Sequence, residues 1–525
     1  MNAPIRHVLT AATVAGIIAG AAMAAELTPG EKRGKQLYLR GTSASGREVS
    51  AVLGDENIEI PASALPCGSC HGHDGLGRPE GGVTPSNLTW EYLSKPYGHD
   101  HSGNRKHVPF SDETLKRAIT RGVDPSGNEL ATAMPAYHME PGDLADLVAY
   151  LKQLDKDRDP GLSDETIRIG TVLPATGPLG EMGDVMRAVL EAYFEETNRS
   201  GGIYGRRVEL VVEEFEGSGD TIAAQTRRLI DEQQVFAISA PVIVGDEGAF
   251  GGLVAAAEVP VVAPFTLFPQ DDAPVNRYVF YLLSGLVQQA RVAGGFAREV
   301  VENTDPSVAI LRRRGERAGE IAAVMEEEAR RSNWSRVQLV EHTPGEAGAE
   351  TLARRLAEQG IDVLFLTEWG AWESRLLHAG AEQGWTPFVF VPGAFIGSSI
   401  LEIPSAYEAK VFAAVPTLPF DQTETGIEQL RELTDRYGIP PRHLTAQVSA
   451  YCAATILFEG IKRAGKNLSR EKLITALEGL YEFDTGLTPL VSYGPNRRVG
   501  AQGAYMLAID PARRRFVHAS SWRAP

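Results

Sequence analysis

Residues 63–77, SALPCGSCHGHDGLG, hold two of the chain's three cysteines, and their reading decides the fold of the N-terminal third. Four chemistries compete for Cys67, Cys70 and His71. A structural zinc site wants four ligands, and the chain has no second cysteine pair. A thioredoxin-like redox pair needs a βαβ context, whereas the residues around Pro66 are turn-like. A disulfide between the two cysteines would leave His71 without a role. The fourth reading is C-x-x-C-H, the attachment sequence of c-type haem. There two thioethers fix the porphyrin, and the adjacent histidine becomes an axial ligand of the iron.

The flanks favour the fourth reading. A haem iron needs a second axial ligand or an open site. The stretch ELATAMPAYHMEPGDLADLVAYLKQL supplies Met134, and Pro135 biases Met134 away from helix, towards a loop. Rival ligands are Met139, His99, His101, His107 and His138, while His73 reads as a surface residue. Pro141, Leu144, Leu147, Val148 and Leu151 recur at helical spacing. Upstream, TPGEKRGKQLYLRG predicts a helix with Gly34 and Tyr38 on one face. The insertion at 42–65 has no assignable role.

Residues 26–156 resemble a class I monohaem cytochrome c. The resemblance rests on the Gly34/Tyr38 helix, CGSCH, Met134-Pro135 and the helix ending AYLKQL, in that order. It implies an all-α domain carrying one covalently bound haem c. Cys67 and Cys70 would be the attachment points, and His71 and Met134 the axial ligands.

The N-terminus reads as an export signal. Arg6 and His7 precede an apolar run from Val8 to Ala21, and Ala22-Met23-Ala24 fits signal peptidase. Residues 1–24 are thus expected to be removed, leaving a soluble periplasmic protein. No later stretch reads as long and apolar enough to cross a bilayer. Length predicts two to four domains, and 43% hydrophobic residues can fill large cores. With three cysteines, disulfides cannot be the main staple. A net charge of −17 argues against nucleic acid and anionic membrane surfaces as partners.

Residues 157–165 are polar and Pro/Gly-punctuated and predict a linker. Beyond them strands and helices alternate: TIRIGTVLP, then GDVMRAVLEAYFEETNRSGG, then RRVELVVEEFEG, and so on. This pattern predicts α/β lobes with parallel sheets. GPLGEMG lacks the G-x-G-x-x-G spacing of a dinucleotide site. A receptor ectodomain would need a membrane span after it.

From Thr166 to the C-terminus the chain resembles type I periplasmic solute-binding proteins of the branched-chain amino-acid kind. IRIGTVLPATGPLGEMG, NRSGGIYGRRVELVVEE and TGLTPLVSYGPNRRVGAQGAYML carry the resemblance. It implies two α/β lobes over 166–525 with a ligand cleft between them. Where the family places ligand-binding hydroxyls, this chain has Ile243 and Val244. Thr266 is kept, but Leu267 replaces a usual threonine. The family's second-lobe tyrosine falls near Arg317, and its acid is replaced by Gly393 and Ala394. Since an unpaired buried charge is costly, these departures predict a less polar small organic ligand. Val244, Gly245, Thr266, Leu267, Tyr281, Glu368 and Trp369 are the ligand-binding candidates, with Trp372 beside them. Cys452, on an apolar helix stripe, reads as buried and inert.

No nucleophile–base constellation stands out, and the resemblance fills both axial positions of the haem. A non-enzymatic role follows: an exported electron-transfer cytochrome fused to a small-molecule-binding domain. Its partner would be a periplasmic dehydrogenase or oxidase. The alternative is the solute-binding component of an ABC transporter for amino acids or related solutes, partnered by a permease.

Overall fold

The computed structural model describes residues 27–54, 56–77, 84–101, 105–216, 219–271, 273–343, 348–393 and 397–525. The expected export signal and Ala394 lie outside the described residues. The chain divides into two compact units, 1–158 and 159–525.

The first unit contains α1 (Pro29–Arg40), β1 (Ser50–Leu53), β2 (Ile58–Pro61), α2 (Cys67–His71), α3 (Trp90–Leu93), β3 (His99–Asp100), β4 (Lys106–His107), α4 (Asp112–Arg121), β5 (Ala136–His138) and α5 (Pro141–Leu151). A capping box between Thr28 and Glu31 starts α1, and Gly41 ends it in the left-handed conformation. Gly34 is where α1 crosses α5: a Cβ there would lie 2.1 Å from the Asp146 carbonyl oxygen. One turn on, Tyr38 is fully buried against Tyr150, and its hydroxyl donates to the Gly72 carbonyl at 2.6 Å. The N-terminal helix therefore holds both the C-terminal helix and the end of CGSCH. Gly34→Ala is expected to force α1 and α5 apart and cost about 1–3 kcal/mol. Differential scanning calorimetry of the protein and the variant checks this.

The expectation of an all-α domain needs correction. The insertion at 42–65 contributes strands β1 and β2, and the sheet runs in the order β2-β1-β5. β1 pairs antiparallel with β5, Ala51 opposite Tyr137. Locally, Val52 on β1 and Ile58 and Ile60 on β2 are of the β-branched type that favours strands.

In the second unit the first lobe holds a six-stranded parallel sheet. Its strands are β6 (Thr166–Pro174), β7 (Arg207–Phe215), β8 (Ala237–Ser239), β9 (Val261–Val262), β10 (Val279–Leu283) and, from far along the chain, β16 (Val499–Ala501), in the order β16-β10-β9-β8-β6-β7. Helices α6 (Gly180–Arg199), α7 (Gly219–Arg227) and α8 (Glu247–Ala256) belong to this lobe. Helix α9 (Leu286–Val300) opens the second lobe, followed by β11 (Ser307–Arg313), α10 (Glu316–Arg331), β12 (Arg336–His342), α11 (Ala349–Glu358), β13 (Val363–Leu366), α12 (Ala371–Glu382), β14 (Phe388–Pro392) and β15 (Val411–Val415). The chain then returns through α13 (Glu424–Tyr437), α14 (Leu444–Ala464) and α15 (Arg470–Glu478) to pack on the first lobe. It ends with β17 (Tyr505–Asp510) and β18 (Arg515–His518) in the second-lobe sheet, ordered β12-β11-β13-β14-β15-β17-β18.

Near-continuous apolar strands such as VLFL in β13 are buried on both faces, as parallel sheets require. The chain passes between lobes near 284, between 415 and 424, and near 502. Two of these crossings are tied together, since Ser284 Oγ accepts from the Gly503 amide at 2.8 Å.

Two expectations meet the structure differently. Among the described residues α14 is long and apolar enough to cross a membrane, yet it is mostly buried in the first-lobe core beside α6 and α15. Of the segment expected to be a linker, 159–165 is held by the second unit. Asp159 accepts from the Arg470 amide at 2.5 Å, and the Gly161 carbonyl accepts from the Arg168 amide at 2.8 Å. Asp157 belongs to the first unit, bound by Tyr150 and Lys35.

Candidate functional site

In the first unit a cavity of about 570 Å³ is lined by Cys67, Cys70, His71 and Met134 together. Leu88, Leu93, Phe110, Leu115, Ile119, Leu147 and Leu151 supply apolar wall. Residues 63 positions apart thus meet because α2, the loop before β5 and the faces of α4 and α5 converge.

Helix α2 begins after Pro66 and ends at Gly72, a single turn that puts the cysteines three residues apart on one side. His71 is buried, and its Nδ1 lies 2.8 Å from the Ser86 carbonyl. Donation from Nδ1 to that carbonyl leaves Nε2 with a free lone pair, the tautomer a metal-ligating histidine uses. Burial also lowers the basicity of this imidazole, against the opposing hydrogen bond to Ser86. None of Cys67, Cys70 and Cys452 is in a disulfide. Burial pushes the Cys67 thiol up to about 11. Cys452 is wholly buried, with a thiol pushed up to about 12 by burial.

Met134 sits at the turn whose amide donates to the Ala131 carbonyl at 2.8 Å. The following strand β5 is anchored by the insertion, through its pairing with β1 and through the Tyr137 hydroxyl, which donates to the Leu65 carbonyl at 2.8 Å. The insertion, which had no assignable role in the sequence, therefore ties the Met134 segment to the residues just before Cys67.

Of the rival ligands, His99, His101 and His107 also line the cavity, whereas Met139 and His138 do not figure among its described lining residues. The loop histidines have ring nitrogens engaged already. His99 Nε2 is 2.7 Å from the Tyr92 carbonyl, His107 Nδ1 is 2.8 Å from the Val108 carbonyl, and His101 Nε2 and His107 Nε2 face each other at 3.0 Å. The residues present fit a porphyrin: an apolar slot, two thiols at one edge, and an imidazole and a thioether on the same cavity.

In the second unit the candidate residues separate. Val244 is 41% exposed, on the loop before α8, with Gly245 at φ 113° beside it. Ile243 is in the first-lobe core, and so is Tyr281 on β10, whose phenol burial pushes up to about 12. Leu267 packs against the second-lobe core. Thr266 donates to Glu247 Oε1 at 2.8 Å, and Arg317 donates to the other Glu247 oxygen. The Arg317 guanidinium lies 4.7 Å from the centre of the Phe268 ring. Glu247 opens α8 in the first lobe and Arg317 is the second residue of α10 in the second lobe, so this pair clasps the lobes across the C-terminal ends of their strands. Glu368 is half-buried beyond β13, and Trp369 is buried with its indole donating to Ser399 at 3.1 Å.

Glu247 went unnoticed in the sequence because an acid in the first turn of a helix reads as a favourable end charge. Burial raises its carboxyl above the ordinary range, and Thr266 and Arg317 oppose that rise. Above the raised value the charged carboxylate costs the folded state; below it, protonation removes the cost. Arg317→Ala removes an opposing cation and raises the value further. The variant should therefore lose on the order of 1 kcal/mol at neutral pH, modest because Arg317 is part-exposed. That deficit should shrink as pH falls through the raised carboxyl value. Melting temperatures of both proteins across that range check the trend.

A parallel sheet and a mixed sheet, joined by chain crossings and facing each other at their strand C-terminal ends, define a two-lobed α/β solute-binding fold. The family model described as "Periplasmic binding protein" matches residues 166–514, and the one described as "Cytochrome c" matches residues 62–155. The chain belongs to the periplasmic binding protein family and carries a cytochrome c domain ahead of that part. It is 24% identical over 340 residues to the Leu/Ile/Val-binding protein BraC3 of Rhizobium johnstonii, covering 63% of this chain and 89% of that protein. It is 21% identical over 337 residues to the leucine-, isoleucine-, valine-, threonine- and alanine-binding protein of Pseudomonas aeruginosa, covering 62% and 86%. A Thermus thermophilus branched-chain amino-acid ABC transporter protein with bound valine shares the fold, with a TM-score of 0.56, 17% identity and coverage of 69% of this chain and 98% of that one. So does a fatty-acid ABC transporter substrate-binding protein from Thermomonospora curvata, with a TM-score of 0.53, 19% identity and coverage of 70% and 95%.

Proposed function

We propose that this is an exported c-type cytochrome that transfers electrons and carries its own solute-binding domain. Residues 1–24 would be its removed signal, 26–156 the haem-bearing domain and 166–525 the ligand-binding domain. The observation that carries the proposal is the convergence of Cys67, Cys70, His71 and Met134 on one apolar cavity. In the cytochrome c family, haem c supplies reversible one-electron chemistry. In this chain Cys67 and Cys70 would hold it by thioethers, His71 Nε2 and the Met134 thioether would be its axial donors, and the Ser86 carbonyl would keep the imidazole in the ligating tautomer. The leucine, isoleucine and phenylalanine wall would keep water from the iron. With both axial positions filled, the domain transfers electrons and is not an enzyme. A periplasmic dehydrogenase or oxidase is its partner class. Protein-film voltammetry should show one reversible one-electron wave; a catalytic current with peroxide or oxygen would point to an open iron and contradict this reading.

In the second unit the Glu247 carboxylate already takes up Thr266 and Arg317. That arrangement disfavours a free carboxylate at the same place and favours a small organic ligand of lower polarity. A thermal-shift screen of amino acids, alcohols and aromatic acids on the haem-loaded protein tests it, an amino-acid response alone being the contrary result. The names of the relatives favour a second reading, the solute-binding component of an ABC transporter with an accessory haem domain. Permease and ATPase genes beside this one would support it, and a dehydrogenase gene would support electron transfer.

A further inference from the structure

His342, Glu368 and Glu373 are distant in sequence and adjacent in space. His342 ends β12, Glu368 lies two residues beyond β13, and Glu373 is in the first turn of α12. Their donor atoms all lie within 4.8 Å of one another. Two of the three are hidden from water: His342 is 8% exposed and Glu373 is 3% exposed. Glu373 Oε1 and His342 Nδ1 are buried without a hydrogen-bond partner. Glu373 Oε1 nevertheless stands 3.2 Å from His342 Nε2. Two donors bound to one ion at roughly 2.0–2.1 Å and a tetrahedral angle sit about 3.3 Å apart. The imidazole is held flat against the Trp372 indole, with ring centres 4.1 Å apart and 14° between planes, so its direction is fixed.

Charge adds a second argument. Two carboxylates this close repel each other, and a buried unpaired carboxylate is costly. The cation at hand, Arg313, approaches Glu368 only to 3.7 Å and is itself about half exposed. A divalent ion would satisfy both carboxylates and the orphaned oxygen at once.

We propose that His342, Glu368 and Glu373 form a binding site for a divalent first-row transition-metal ion of the zinc class, separate from the haem. One imidazole with two carboxylates suits zinc better than calcium or magnesium, which take oxygen donors. Three protein donors leave a fourth position for water or a solute oxygen. Glu368, 29% exposed, is the donor that solvent reaches.

The test is calorimetric titration of zinc chloride into the untagged, haem-loaded, chelator-treated full chain, with zinc-edge X-ray absorption on the one-equivalent complex. One equivalent should bind tightly, with an oxygen/nitrogen shell containing a single imidazole. Loss of an outer-shell partner already weakens metal sites about 10–100-fold, so Glu373→Gln, which removes a donor, should weaken this one by at least about 100-fold. Glu368→Gln, the more exposed change, should also weaken it and carries the test if Glu373→Gln fails to fold. Absence of tight binding would overturn the proposal. So would an affinity indifferent to both substitutions, or a shell with two or more imidazoles, which would move the metal to the His99, His101 and His107 cluster.

Discussion

Cys67→Ala and Cys70→Ala are each expected to reduce sharply the haem that survives denaturation, and the double variant to abolish it. Thioether bonds persist when the fold is lost, so a haem stain on a denaturing gel reads them directly. Both cysteines line the same cavity as His71, and each would anchor the porphyrin independently, which is why single variants should retain a remnant. Cys452→Ala should leave the stain unchanged, because that thiol is buried in the other unit. Stain of wild-type strength in the double variant would remove the basis for reading CGSCH as an attachment site. The contrast must be made in cells that carry the haem c maturation system, since the bond is formed by that system and not by the fold.

Met134→His should lower the haem's reduction potential while leaving the haem attached. Methionine favours the reduced iron relative to a second histidine, and axial-ligand identity moves potentials over a range of about 0.8 V, so a drop on the order of 0.1 V is expected. Met134→Ala should change the spectrum of the oxidised protein. An unchanged spectrum would assign the ligand to another cavity residue, and the candidates are then His99, His101 and His107, because they share the wall. Met139 drops behind them. It is partly buried against the domain core and does not figure in the cavity's described lining.

The residues that meet on the first unit's cavity were legible because most of them are neighbours in sequence. Cys67, Cys70 and His71 sit within one helical turn, and Met134 announces itself through Pro135. Gly34 and Tyr38 were legible for a similar reason: a helical repeat puts them on one face, and the structure uses that face to seat α5 and Gly72. The strand–helix alternation after residue 166 likewise follows from periodicity and turn residues. What stayed hidden depends on pairing between distant segments. The hairpin at 50–61 makes sense only once β1 is laid against β5, more than eighty residues away. Glu247 carries no mark in the sequence, because its partners Thr266 and Arg317 lie 19 and 70 residues away. Nothing in the sequence marks His342 and Glu373 as neighbours, and only the register of β12 beside β11 and the start of α12 brings them together. Helix α14 misled in the other direction. Its apolar length is that of a membrane span, and its burial against α6 and α15 is that of a core helix.

Intact-mass spectrometry of the denatured, matured protein tests the central claim most directly. The account predicts a single species at the mass of the chain from Ala25 plus one haem. The bare chain mass, or a mass carrying two haems, would contradict it.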